Sequence, residues 1–440
     1  MRKDDLIIIS VDDHIIEPAN MFERHASAAF KDRMPYVTKK NGFEAWVFED
    51  RVIPNLALNA VAGKRPEEYG FEPTSYDHIR RGTYDPKARV DDMSADGILA
   101  SVNFPSWPGV AGQTLLAAKD KALAAEVVRA HNDWNIDEWC GAAKERFIPC
   151  CLIPFWDPDA AAKEIKRIKA KGANSVTMLP NPIPDGLPSW HQPYWDPILA
   201  ACEDNEVVIN LHISDATKAV PSPDSAVDAF IAMMGVSLFS TAVDLVFSPV
   251  FKKHPKLKMA LSEGGAGWVP NCMERMDFIY KRHHSWTKQD FGGRLPSEVF
   301  REHFYVCVVE DPVGVKLRDQ IGIDIMMWEG DYPHAEATWP HSPENIMETF
   351  DPDISDEDMN KITHLNAMRA YQFDPFRIRP REKCTVGALR AEAKHVSLDY
   401  LPRGGIAPSR GEGVVSLRDV MGQVGEAYTL HIGEPEAAQA

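Results

Sequence analysis

The sequence predicts an α/β protein built as a (β/α)8 TIM barrel, and three observations carry that prediction. Eight short apolar runs of strand length alternate with stretches that are mostly helical in spacing, which implies a parallel sheet. Eight such units favour a closed barrel over an open doubly wound sheet. No G-x-G-x-x-G or G-x-x-x-x-G-K-[ST] follows any run, which weakens a nucleotide-binding reading. At 440 residues the chain accommodates one barrel with a long insertion after its first strand and a C-terminal extension.

The first run, residues 6–11, is apolar and β-branched and leads directly into Asp12, Asp13 and His14. A mixed excursion to about residue 96 follows, with a hairpin-like segment at 42–53, and insertions of this length usually serve as lids or substrate caps. The second run, 98–104, stops at Pro105, and Leu115, Leu116, Ala118, Leu123, Val127 and Val128 then give helical spacing over 115–142. Asn132-Asp133-Trp134, inside that stretch, reads as packing between helix and barrel. Run 147–155 precedes a helix that starts at the Asp157-Pro158 signal. Run 175–179 ends at Pro180 and a Pro-rich loop, then a helix through Ala201. Run 207–211 delivers His212, and a long apolar helical region spans 226–250. Run 257–261 delivers Ser262 and Glu263, with helices expected at 268–283 and 295–302. Run 304–309 delivers Glu310, a helix follows at 313–320, and run 324–328 delivers Glu329, Gly330 and Asp331. The domain reading is therefore a barrel over 1–375, with its cap at about 17–96, and an extension over 376–440 that would make a subunit contact.

Composition narrows the function classes. Hydrophobic residues at 44% and charged ones at 26% describe a soluble globular chain, and no apolar run is read as approaching the roughly 20 residues of a membrane span. The acidic start lacks a signal-peptide core, so a cytoplasmic location is expected. A formal charge of -17 with no Lys/Arg run argues against nucleic acid as partner. Seven cysteines without a C-x-x-C read as reduced packing residues.

Asp12 and His14 stand two apart in a strand and so point the same way. Carboxylate oxygen plus imidazole nitrogen suits Zn, Mn or Fe, and equally a carboxylate that orients a histidine. In this barrel, chemistry gathers at the C-terminal ends of the strands, where His212 (fifth), Glu263 (sixth) and Asp331 (eighth) join the first-strand pair. His334 stands three residues past Asp331 and Glu17 three past His14. Trp46 and Arg51, in the excursion, are candidate substrate contacts together with Glu17. His191, Glu310 and His341 read as loop hydrogen-bonders.

The motifs V-D-x-H-x-x-E-P, N-L-H, H-P-x-L-K-x-x-L-S-E-G-G-x-G-W-V-P at 254–270, and W-E-G-D-Y-P-H followed by W-P-H-S, taken together over residues 5–372, resemble the amidohydrolase-2 (amidohydrolase-related, aminocarboxymuconate-semialdehyde-decarboxylase-like) family. The resemblance implies a distorted barrel with a catalytic divalent metal (one ion, or two), held by Asp12, His14, His212 and Asp331, with Glu263 as further ligand or base. It departs from the family in two places: the first-strand pair is Asp-x-His where His-x-His or Glu-x-His is common, and Glu263 stands where the decarboxylases often have a catalytic histidine. The leading expectation is a hydrolase acting on a small amide, ester, lactone or carbon–carbon bond beside a carbonyl, with Asp331 and Glu263 moving the proton of a metal-activated water. Alternatives are a non-oxidative decarboxylase of an aromatic or unsaturated acid, with Asp331 or His334 as acid and Arg51, Arg80 or Arg81 for the carboxylate; a dinuclear-metal oxygenase like 2-aminoisobutyrate hydroxylase; and a silent supporting subunit. The expected partners are a small-molecule substrate and further copies of the chain, or a related barrel subunit.

Overall fold

The computed structural model describes residues 1–40, 42–213, 222–401, 413–420 and 422. Every apolar run becomes a barrel strand, and the strands are buried on both faces, as parallel strands between helices must be. They are β1 (Ile9–His14), then, after the three cap strands β2 (Tyr36–Lys40), β3 (Phe43–Phe48) and β4 (Arg51–Pro54), β5 (Ala100–Phe104), β6 (Phe147–Cys151), β7 (Ser175–Met178), β8 (Val208–His212), β9 (Met259–Ser262), β10 (Phe304–Val308) and β11 (Met326–Trp328). The eight-stranded sheet runs β1-β5-β6-β7-β8-β9-β10-β11, with every described pairing parallel.

The cylinder closes in an irregular way. No ladder joins β1 to β11 among the described residues. The seam is instead made of single bonds: Gly330 N–H donates to Ser10 Oγ (2.8 Å), Asp331 N–H to the Asp12 carbonyl (2.8 Å), Tyr332 N–H to Asp13 Oδ1 (3.2 Å), and His14 N–H to the Tyr332 carbonyl (2.7 Å).

Helices fill the outer ring where capping signals start them. Asp85 caps α1 (Pro86–Asp96), Asp120 caps α2 (Lys121–Trp134) and Asp157 caps α3 (Pro158–Ala170), each accepting first-turn N–H groups, and α4 is Asp196–Asp204. Gly97 ends α1 at φ 92°, the left-handed position that favours glycine. Asn132 pins α2 to the barrel through both amide atoms, bonding Leu152 N–H and C=O.

Three expectations need amending. The excursion holds a third strand, β2, paired antiparallel with β3, so the hairpin is a three-stranded sheet. The apolar region at 226–250 is broken into Val227–Met233, Val236–Phe247 and Val250–Lys253. By length and composition Val227–Phe247, with a mean hydropathy of 1.9 over its most apolar window, does reach membrane-spanning size, contrary to the reading of the runs. One face of its second half, Leu238, Ala242, Leu245 and Val246, is buried against the barrel.

The cap rests on the mouth. Val61 and Ala62 N–H both donate to the Pro333 carbonyl, at 3.0 Å each. Trp46 stacks on Trp107 at 4.9 Å between centroids, with Phe22 and Phe48 edge-on around them. The first part of the C-terminal extension packs on its own barrel. In helix Val386–Glu392, Val386 and Leu389 are buried, Val386 N–H donates to the Leu6 carbonyl, and Arg390 pairs with Glu344 at 2.7 Å. Residues 402–412 and 423–440 of the extension lie outside the described residues. All seven cysteines are buried and unbridged.

Candidate metal centre

Four strand ends bring Asp12, His14, His212, Glu263 and Asp331 to one place. Asp12, His14 and Asp331 are at most 1% exposed and His212 is 3% exposed. His14 Nε2 lies 3.3 Å from Asp12 Oδ1, 3.5 Å from Asp331 Oδ1 and 3.1 Å from His212 Nε2. His212 Nε2 lies 3.4 Å from Asp12 Oδ2 and 2.9 Å from Glu263 Oε2. Donor atoms around a cation at roughly 2.0–2.2 Å stand about 3.0–3.5 Å apart in octahedral or tetrahedral arrangement, which is the spacing seen.

The residues fit such an ion on two further counts. Among the described residues, both carboxylate oxygens of Asp12 and both of Asp331 are buried without a hydrogen-bond partner, a costly state for a charge unless a cation shares the pocket. His212 Nδ1 stands 2.7 Å from the Ile213 carbonyl, so Nδ1 carries the hydrogen and Nε2 turns a free lone pair inward, the tautomer of a metal ligand. The ligand groups fall into two overlapping sets, Asp12-His14-His212-Glu263 and His14-Asp331-His334.

The ionisable groups of the pocket are shifted by burial and by its excess of negative charge. Burial, with Glu263 and Asp12 beside it, raises Asp331 well above the carboxylate range, and burial with Asp12 does the same to Glu329. Burial opposes a charge on His212, but Asp12 and Glu263 outweigh it and raise its pKa. Glu263, despite burial, is lowered by His212. Burial and the neighbouring His334 and His212 lower His14, so His14 is neutral and able to bind an ion.

Glu263 and Asp331 both adopt left-handed backbone, at φ 63° and 53°, where side-chain-bearing residues are strained. Strain just past β9 and β11, the two strands that flank β10, is what aims both carboxylates at the cluster. His334 reaches it too: its ring stacks on His14 at 3.8 Å, and its Nδ1 lies 2.8 Å from Asp331 Oδ1, outside hydrogen-bond alignment.

The structure does not bring Glu17, Arg51 and Trp46 to the ion cluster. Glu17 is fully buried; its carboxylate accepts Ser106 N–H (3.0 Å) and Trp107 N–H (3.1 Å) and faces His131 Nε2 (3.2 Å). It organises the loop after β5 and has no surface to offer a substrate. Trp46 is likewise fully buried, in the cap's aromatic cluster. Arg51 donates to the Thr114 carbonyl (3.0 Å) and lies over Phe48. His191 pairs with Asp244 at 2.8 Å on the surface, and Glu310 with Asn345.

Sequence reasoning passed over four residues. Glu329, fully buried, accepts the Glu263 N–H at 3.0 Å, and its presence two residues before Asp331 was the available signal. Ser10 and Asp13 hold the seam. Arg89, also fully buried, donates to the His14 carbonyl and lies 3.8 Å from Asp13. Nothing in its helical context in α1 announced it.

A barrel with an oxygen- and imidazole-lined mouth defines the class: a metal-site α/β barrel of the amidohydrolase kind. The sequence model of the amidohydrolase family matches residues 78–373, two thirds of the chain, and the protein belongs to that family and is an enzyme. The gamma-resorcylate decarboxylase of Rhizobium sp. (strain MTP-10005) is 26% identical over 346 residues, 72% of this chain and 96% of its own length. Among solved structures, 5-carboxyvanillate decarboxylase from Sphingomonas paucimobilis superposes with a TM-score of 0.60 at 19% identity, covering 84% of this chain and 100% of the other. Dihydroxybenzoic acid decarboxylase from Polaromonas sp. JS666, solved with manganese and 2-nitroresorcinol, gives 0.55 at 18% identity over 85% and 98% of the two chains.

Proposed function

We propose that the protein is a metal-dependent, non-oxidative decarboxylase of a small aromatic acid carrying a hydroxyl beside its carboxylate. This replaces hydrolysis as the leading reading. The observation that carries it is the alignment of a gamma-resorcylate decarboxylase along 96% of its length onto a chain whose Asp12, His14, His212 and Glu263 meet at one place, with Asp331 joined to them through His14. Asp12, His14, His212 and Asp331 would hold the ion, with Glu263 beside them, and Mn is the first choice for an oxygen-rich site. When bound, the ion would supply the positive charge that grips the substrate's carboxylate and its neighbouring oxygen.

The chain's own part is proton delivery and the exclusion of water. Breaking the ring–carboxylate bond releases carbon dioxide and leaves its electron pair on the ring carbon, which must take one proton. Asp331, buried at the ion site with His334 Nδ1 2.8 Å away, is the donor. His334, beside it, hands on the replacement proton from the partly open side of the pocket. The cap, resting on Pro333 through Val61 and Ala62, keeps bulk water from the carbon as the charge develops.

One feature favours a second reading. Glu263 stands where the resembling decarboxylases often have histidine, and its Oε2 lies 2.9 Å from His212 Nε2 at the edge of the pocket, so it suits a base acting on water in ester or lactone hydrolysis. Incubation of the Mn-loaded enzyme in deuterated water with 2,6-dihydroxybenzoate, 5-carboxyvanillate and related hydroxybenzoates separates the two. Decarboxylation yields carbon dioxide and one deuterium at the vacated carbon. Ester or lactone cleavage lost in Glu263→Gln, with no carbon dioxide from any acid, would establish hydrolysis instead.

A further inference from the structure

The carboxylate of Asp331 has no aligned hydrogen bond from any described side chain. Its direction is therefore set by its backbone, and that backbone is unusual on two counts. Its φ is 53°. The bonds on either side of it are also out of step with a parallel ladder: Asp331 N–H reaches the Asp12 carbonyl, but His14 N–H reaches the carbonyl of Tyr332, one residue further than a regular ladder uses. Something must hold this slip against relaxation. The groups that do so are the acceptors of β1. Three consecutive N–H groups, of Gly330, Asp331 and Tyr332, are taken by Ser10 Oγ, the Asp12 carbonyl and Asp13 Oδ1, and Ser10 Oγ–H donates to Asp13 Oδ1 at 2.8 Å. Ser10 and Asp13 are 1% and 2% exposed, so no water competes for these bonds. Arg89 braces the back of the clamp, donating to the His14 carbonyl and facing Asp13 at 3.8 Å. Gly330 packs close to it: a Cβ built there would stand 3.4 Å from both Ser10 Oγ and Asp13 Oδ1.

We infer that Ser10 and Asp13 are positioning residues, which touch neither ion nor substrate but fix the left-handed turn that points Asp331 into the metal pocket. The inference rests on Asp331 being a metal-site group, as proposed above. It gives the second aspartate of the Asp12-Asp13-His14 triplet a task of its own: alternate residues of β1 face opposite ways, so Asp12 and His14 serve the ion while Asp13 serves the strand across the seam.

The test measures Mn²⁺ affinity, which does not depend on the reaction catalysed, by competition with a fluorescent chelator on the full-length, metal-stripped protein. Ser10→Ala and Asp13→Ala are each expected to weaken Mn²⁺ binding about tenfold, the usual cost of losing a group that orients a ligand. Asp13→Asn, whose amide oxygen still accepts the Tyr332 N–H, is expected to stay within about threefold of wild type. In an Asp331→Asn background, Ser10→Ala should change affinity less than about twofold, because its effect runs through that carboxylate. Turnover should follow, with kcat reduced and KM little changed. Wild-type affinity in Ser10→Ala, or the same tenfold loss with and without Asp331, overturns the inference. If Asp13→Ala does not fold, Ser10→Ala and Asp13→Asn decide the matter. Failure of the wild-type protein to bind Mn²⁺ would instead overturn the reading of the site itself.

Discussion

Asp12 and Glu17 lie five residues apart, both fully buried, and they live in opposite conditions. Glu17 is saturated by two backbone N–H groups and a histidine, whereas Asp12 has no hydrogen bond to either oxygen. The same contrast separates Asp331, which has no hydrogen bond to its carboxylate among the described residues, from Asp96, which accepts both N–H (2.9 Å) and Oγ–H (2.5 Å) of Ser342. Burial alone therefore does not mark a functional carboxylate. What marks it is burial without hydrogen, because only an added cation then balances the charge.

The contrast breaks most sharply at the pocket. Asp331→Asn and Asp12→Asn are expected to cut turnover by about 10³-fold or more and to weaken Mn²⁺ binding about 100-fold, to a level chelator competition still measures, while Glu17→Gln keeps its metal affinity.

On the saturated side, Asp96 supplies a pH test. Burial lifts its pKa from 3.8 to about 7 in the folded protein. Between those values the folded state holds a proton that the unfolded state has released, so stability falls as pH rises, by up to about 1.4 kcal/mol per pH unit from this group. Urea midpoints at pH 5 and pH 8 should show the fall in wild type and a flatter profile in Asp96→Asn.

Glu17→Ala should cost about 2–3 kcal/mol of stability in urea by stranding Ser106 N–H, Trp107 N–H and His131, with Mn²⁺ affinity within about twofold of wild type. Ligand removal is expected to act on a similar scale: Mn²⁺ at 100-fold over its Kd should stabilise the chain by about 2.7 kcal/mol, raising Tm by a few degrees, and Asp12→Asn should erase that shift.

Much of the barrel was legible because each strand is a short apolar run, and the polar residues at which four of those runs stop, Asp12, His14, His212, Glu263 and Asp331, are the ones that meet. Strand β2 escaped notice because Tyr36-Val37-Thr38-Lys39-Lys40 is an outer strand of the small cap sheet, with Tyr36 largely exposed and no apolar run to announce it. Glu17 is singled out by its nearness to the first motif and Trp46 by its place in the cap, and neither says which way a side chain turns. Ser10 and Asp13 carried no signal of their own; a polar residue inside an apolar strand gains meaning only when the opposite strand is known.

The seam between β1 and β11 has one more implication. A cylinder whose last join, among the described residues, is four separate bonds, where its other joins are β-ladders, is weakest along that line. That line runs through the ligand cluster, with Asp12 and His14 on one edge and Asp331 on the other. An ion gripped by both edges would thus act as a rivet for the whole barrel, and loss of metal would loosen the architecture at the point where its chemistry is done.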